Sequence, residues 1–153
     1  MPSPMDLALD LAAEAAAAGE APVGAVVMEG EHILAAERNR MRQLADPTAH
    51  AELMAIRAAL VTRGTGRLDG CDLYVTLEPC AMCAGAIAHA RLRRVVYAAA
   101  DPKAGAVENG VQLFDSPSCH HHPEVISGIG ERRSAELLRE FFRGLRERGS
   151  DAV

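Results

Sequence analysis

The chain predicts an α/β protein in which one sheet, mainly parallel on alternation alone, is covered by helices on both faces. Three observations carry this. Its 153 residues, 49% hydrophobic and 24% charged, suit one compact domain spanning 1–153 with a core that needs no disulfide staples. Short β-branched or apolar runs alternate with segments whose apolar residues recur at helical spacing. No apolar run approaches the roughly 20 residues that span a bilayer, and the alanine-rich start carries Asp6, Asp10 and Glu14 without a basic leader. No membrane association is expected, and the cytoplasm is the expected compartment.

The elements follow in order. Ser3-Pro4-Met5-Asp6 combines a hydroxyl cap, a proline at the first helical position and a carboxylate three residues after the cap. A helix with Leu7, Leu9 and Leu11 among alanines follows, and Gly19 can end it. Residues 23–29 and 32–37 read as two strands joined at Glu29-Gly30-Glu31, a hairpin. Asp46-Pro47-Thr48 offers capping groups before a second helix with Leu53, Ile56 and Leu60. Residues 72–77 read as a buried strand, a third helix runs from Pro79 to about His89, and 94–99 form another strand. Residues 101–131, rich in Gly, Pro, Ser and His, read as a long functional loop with little regular structure. A last helix, about 131–148, carries Leu137, Leu138, Phe141, Phe142 and Leu145.

Charge is unevenly placed. The net −5 speaks against wholesale coating of a nucleic acid, and no DNA partner is expected. Residues 1–60 hold four arginines against nine acids, whereas 91–103 and 132–148 are each +3. A polyanion would meet one edge of the molecule. Three Phe, two Tyr and no Trp cannot lay out an extended stacking platform, so recognition of a single strand must rest on shape. Four cysteines in a chain read as unexported point to ligands or core thiols rather than disulfides.

Two short motifs carry chemistry: His50-Ala51-Glu52, and Pro79-Cys80-Ala81-Met82-Cys83. Both sit at expected helix starts. Cys80 and Cys83, at i and i+3, can project toward one ion from one side of a helix, and the positive dipole end there favours thiolates. With His50 they make three protein ligands, which leaves the fourth tetrahedral position of a zinc ion open for water. Thiolate plus imidazole donors favour zinc over other divalent metals. Glu52, two residues beyond His50, is then free to serve as general base and acid. A structural site would prefer a fourth protein ligand, for which Cys71 and Cys119 are the available thiols. Cys119-His120-His121-His122 invites a second metal, but three consecutive histidines cannot all converge.

The His-x-Glu and Pro-Cys-x-x-Cys pair is the signature of the zinc deaminases. Within that superfamily, residues 22–26, Asn39, residues 46–52, residues 76–86 and Phe141-Phe142-Arg143 closely resemble the bacterial tRNA-specific adenosine deaminases, over about residues 20–147. The resemblance implies a three-layer α/β/α sandwich of the cytidine deaminase type, with a mixed five-stranded sheet and helices on both faces. It implies one Zn2+ per subunit held by His50, Cys80 and Cys83, Glu52 as proton shuttle, and a homodimer. It further implies conversion of adenosine to inosine at the wobble position of a tRNA anticodon stem-loop. Asn39 matches the residue that orients the target nucleoside, Asp101 and Lys103 match a loop that touches ribose and phosphate, and Phe142 and Arg146 match a terminal helix along the anticodon loop. Ala104 departs from the small polar residue often found in that loop. Two other readings stay open: a deaminase of free guanine or cytosine on the same fold, and a zinc-stabilised RNA-binding module without turnover.

Overall fold

The computed structural model of the protein describes residues 2–148; Met1 and residues 149–153 of the expected domain lie outside the described residues. Its elements are α1 (Pro4–Ala17), β1 (Gly24–Glu29), β2 (His32–Arg38), α2 (Met41–Leu44), α3 (Ala51–Arg63), β3 (Cys71–Leu77), α4 (Ala81–Ala90), β4 (Arg94–Ala99), β5 (Glu124–Ser127) and α5 (Glu131–Glu147), with a 3-10 turn at Leu113–Asp115. Among the described residues no helix is long and apolar enough to cross a membrane.

The start of α1 is a full capping box: the Asp6 amide donates to Ser3 Oγ and the Ser3 amide to the Asp6 carboxylate, each at 3.1 Å. Its buried stripe is Met5, Ala8, Leu9, Ala12 and Ala15, so Leu7 and Leu11 lie at the margin rather than at the centre. A Cβ on Gly24 would lie 2.0 Å from the Ala8 carbonyl oxygen and 2.9 Å from the Ala12 amide nitrogen, so the backbone of α1 rests directly on the start of β1 and position 24 must be glycine.

The strand order is β2-β1-β3-β4-β5, with β1 antiparallel to both β2 and β3 while β3, β4 and β5 run parallel. The sheet is therefore mixed and five-stranded, which corrects the mainly parallel expectation drawn from alternation. Two pairings make it so: the two-residue turn at Gly30, φ +59°, can only return β2 antiparallel to β1, and β1 also meets β3 antiparallel. The fifth strand falls inside the segment read as loop. Its four residues, Glu-Val-Ile-Ser, form a largely exposed edge defined by backbone pairing to β4, and the half-buried Ile126 alone reaches the core, too little to leave a sequence pattern.

Side chains alternate across the inner strands as the pleat requires. Ala25, Val27, Leu73, Val75, Val95 and Tyr97 face a core shared with Ala55, Ile56 and Ala59 of α3 and with Ala84 and Ile87 of α4. Val26, Met28, Val96 and Ala98 face the opposite core with Met5, Ala8 and Leu9 of α1 and Leu137 of α5. Three layers result. Cys80 follows β3 and Asp101 follows β4, so both lie at the carboxyl ends of adjacent parallel strands, where open α/β sheets present their ligand crevice.

Candidate active site

Two helix N-termini meet at the site. His50 is the N-cap residue of α3, and Glu52 lies in its first turn. The expected Asp46-Pro47-Thr48 cap does not cap this helix. Asp46 Oδ1 instead accepts from the Thr48 amide and hydroxyl at 2.8 and 2.7 Å, closing a local turn. The donor at the helix start is taken by Asn39: its Oδ1 accepts from the Ala51 amide at 2.8 Å, and its side chain is buried. That bond fixes the orientation of the Asn39 amide between His50 and Glu52 and leaves Nδ2 as its donor for a ligand.

Cys80 is the N-cap residue of α4, and Cys83 lies in its first turn. Cys80 Sγ is 3.7 Å and Cys83 Sγ 3.6 Å from His50 Nδ1, and the three donor atoms all lie within 4.8 Å of one another. A tetrahedral ion with bonds of about 2.0–2.1 Å to nitrogen and about 2.3 Å to sulfur separates the two donors by about 3.6 Å, so the trio matches zinc without rearrangement. The donor chemistry fits as well. A hydrogen bond from Cys83 and the neighbouring His50 pull the Cys80 thiol down to about 4, whereas the bond to Cys80 and burial hold the Cys83 thiol far above its ordinary value. A dication is the group that lets both sulfurs be thiolates at once. Cys71 opens β3 as a buried residue and Cys119 lies in the loop before β5, so neither joins the trio.

Glu52 is buried. Burial pushes its carboxyl up to about 7, against the pull of its own backbone amide and of His50, which places the group where it can both take and give a proton near neutrality.

At the carboxyl ends of β3 and β4, a cavity of about 710 Å³ is lined by Asp101, Lys103, Leu138, Phe142, Leu145 and Arg146 together with Ala21, Val23 and Leu77. The structure thus brings together four residues expected at the substrate, from two segments some 40 positions apart in sequence. Asp101 and Lys103 do not form an ion pair: Asp101 Oδ1 accepts from the amides of Lys103 and Ala104, each at 3.1 Å. Phe141 and Phe142 meet edge to face at 5.5 Å, with Phe142 exposed and Phe141 half-buried.

The histidine run has another use. His121 Nε2 donates to the Leu92 carbonyl at 2.6 Å and His122 Nδ1 to the Phe114 carbonyl, which pins the loop before β5. Among the described residues the only metal-ligand cluster is His50, Cys80 and Cys83. No sequence motif singles out Glu78, a buried carboxylate with five hydrogen bonds. Its signals are its place within residues 76–86, which carry the resemblance, and a carboxylate directly before Pro79-Cys80.

Residues 3–99 match the family model described as the cytidine and deoxycytidylate deaminase zinc-binding region. The chain belongs to this deaminase family. It is 55% identical over 139 residues to a tRNA-specific adenosine deaminase of Agrobacterium fabrum, covering 91% of each chain. It is similar to a solved tRNA:A34 deaminase, studied for A-to-I editing at the wobble position of transfer RNA, at TM-score 0.87 and 53% identity over 88% of this chain and 98% of that one. A guanine deaminase from Nitrosomonas europaea is similar at TM-score 0.72 and 27% identity, covering 92% of this chain and 85% of that one. The deaminase family uses zinc, and this member's trio is placed to hold it.

Proposed function

We propose that this protein is a zinc-dependent deaminase that converts adenosine to inosine at the wobble position of a tRNA anticodon. The observation that carries the reading is the cavity in which Asp101, Lys103, Phe142 and Arg146 converge, in a chain 55% identical to a tRNA-specific adenosine deaminase. A free base needs no such basic and aromatic margin. An anticodon loop presents bases already partly unstacked, so one adenine can be extruded at lower cost than from a duplex.

His50, Cys80 and Cys83 would hold the zinc ion, which when bound supplies Lewis acidity toward a water molecule. In the overall reaction water adds to C6 of the adenine, the bond from C6 to the exocyclic nitrogen breaks, and ammonia leaves. Glu52 takes a proton from the water and passes it to the ring nitrogen, then takes the second proton from the new C6 hydroxyl as the carbonyl forms and delivers it to the departing amine. Asn39, held by the Ala51 amide, offers Nδ2 to the nucleoside. Asp101 and Lys103 approach ribose and phosphate. Phe142 supplies a surface for a neighbouring base, and Arg146 a cation for the backbone.

The same reading takes residues 1–153 as one domain that works as a homodimer in the cytoplasm, where tRNA is modified. Exposed Met82 on α4, and Val111 beside a groove of about 460 Å³ lined by Gly85, Ala88 and His89 of that helix, support a subunit contact there. Light scattering of the zinc-loaded protein checks it, with twice the chain mass expected.

The functional test is mass spectrometry of a synthetic anticodon stem-loop after incubation with the zinc-loaded protein. Inosine is expected at the wobble adenosine and at no other adenosine. An unmodified stem-loop would overturn the reading.

A further inference from the structure

Glu78 stands between the end of β3 and Pro79-Cys80, and only 2% of it is exposed. Its carboxylate takes five hydrogen bonds, all from the segment that follows β4. Oε1 accepts from the Asp101 amide at 2.9 Å and from Asn109 Nδ2 at 2.7 Å. Oε2 accepts from the amides of Val107, Glu108 and Asn109, each at 3.0 Å. Contact continues on the Cys80 side, where the Ala106 amide donates to the Pro79 carbonyl at 2.9 Å and Cys80 forms a bridge with Gly105. Gly105 passes so close that a Cβ there would lie 2.4 Å from the Glu78 carboxylate.

Four backbone amides and one side-chain amide pointing at one place need an acceptor with two oxygens and no proton, which among side chains only an ionised carboxylate provides. Burying that charge is costly, and the five donors offset the cost only while the loop keeps this shape. Glu78 therefore dictates the path of residues 101–109. The consequence reaches the cavity wall, because the Asp101 side chain in turn receives the amides of Lys103 and Ala104. The backbone position of Asp101 thereby sets that of Lys103.

We infer that Glu78 is a positioning residue for the substrate: through its bond to the Asp101 amide it fixes the turn from Asp101 to Lys103 relative to the metal ligand Cys80. The inference rests on the reading of the cavity as an RNA site, but the coupling within the protein is measurable without RNA.

Glu78→Gln is a selective probe. The Gln oxygen can serve the three amides at the Oε2 position, and the Asn109 amide can turn its own oxygen toward the new NH2 group. The Asp101 amide is then the donor left facing a donor. Zinc-loaded E78Q is expected to keep one zinc per chain while kcat/KM for the stem-loop falls about tenfold, mostly through KM, the scale of one hydrogen bond to a charged group. Amide exchange at Asp101 and Lys103, read by NMR, is expected to quicken about tenfold with exchange in β3 unchanged. If Glu78 acts through Asp101, adding E78Q to Asp101→Ala costs less than about twofold more.

Fully additive losses, or unchanged exchange at Asp101 and Lys103, would overturn the inference. Should E78Q fail to fold, Asn109→Ala, which deletes one of the five bonds, enters the same cycle and exchange measurement: non-additive losses with quickened exchange support the inference, and additive losses or unchanged exchange overturn it. Failure of the wild-type protein to modify RNA would reject the functional reading alone, because the exchange arm would still decide whether Glu78 holds Asp101.

Discussion

His50, Cys80 and Cys83 stand on the first turns of two helices packed into the core, whereas Lys103, Phe142 and Arg146 stand on a surface loop and on the outward face of the terminal helix. The first region is held by elements that cannot shift without disturbing the sheet: Ala51, Ala55 and Ala59 of α3 and Ala84 and Ile87 of α4 are buried against it. The second is packed over less surface, through Leu137 against the core under α1, and is otherwise anchored at points. Ser134 Oγ of α5 donates to the Thr76 carbonyl of β3 at 2.5 Å, and Glu78 gathers the loop. Under the proposed function the difference has a use: a tetrahedral ion and a proton shuttle would tolerate little displacement, while a base and its phosphates could be met by exposed groups on less rigid supports.

Perturbing the two regions separately sharpens this contrast, and the largest effect belongs to the metal trio. Cys83→Ala removes a donor no other thiol can replace, since Cys71 and Cys119 lie elsewhere in the fold. Metal analysis is expected to show little bound zinc, with turnover down by at least about three orders of magnitude. Retained zinc and activity would break the assignment. In the cavity, Phe142→Ala removes an exposed ring and is expected to weaken stem-loop binding by about tenfold, the scale of one stacked base, with zinc content unchanged.

Lys103→Ala and Arg146→Ala should each cost only about threefold in affinity at moderate salt, yet each should lower the slope of log affinity against log salt by about 0.7, the single-strand value for one phosphate contact. Titrations at several salt concentrations check this, and an unchanged slope removes the residue from the interface. The smallest effect on function lies outside both regions. Ser3→Ala deletes the α1 cap and should cost about 1 kcal/mol of stability in denaturant unfolding, with turnover unaltered.

The metal trio and Glu52 are legible in the sequence because their spacing is local: an i, i+3 pair and an i, i+2 pair, each at a helix start, need few tertiary facts to interpret. Three of the five strands are legible because buried apolar runs mark them, and β2, with Ala35 alone buried, because the Gly30 turn returns the chain beside β1. The antiparallel pairing of β1 with β3 is not, because it depends on which edge of the hairpin meets β3. β5 is not, because an exposed edge strand is defined by its backbone. The buried face of α1 departs from the leucine pattern at Leu7 and Leu11, because the stripe that meets the sheet runs through Met5, Ala8, Leu9, Ala12 and Ala15. Glu78 leaves no pattern because its partners lie 23 to 31 residues away and present backbone amides, which every residue type but proline carries.

The separation of chemistry from recognition is tested most directly by Glu52→Ala, with zinc content, stem-loop affinity and inosine formation measured on one preparation. One zinc per chain, affinity within about twofold of the unaltered protein and turnover reduced at least about a thousandfold are expected. Turnover that persists at the unaltered rate, or affinity that falls in step with turnover, would contradict the assignment of Glu52 to proton transfer alone.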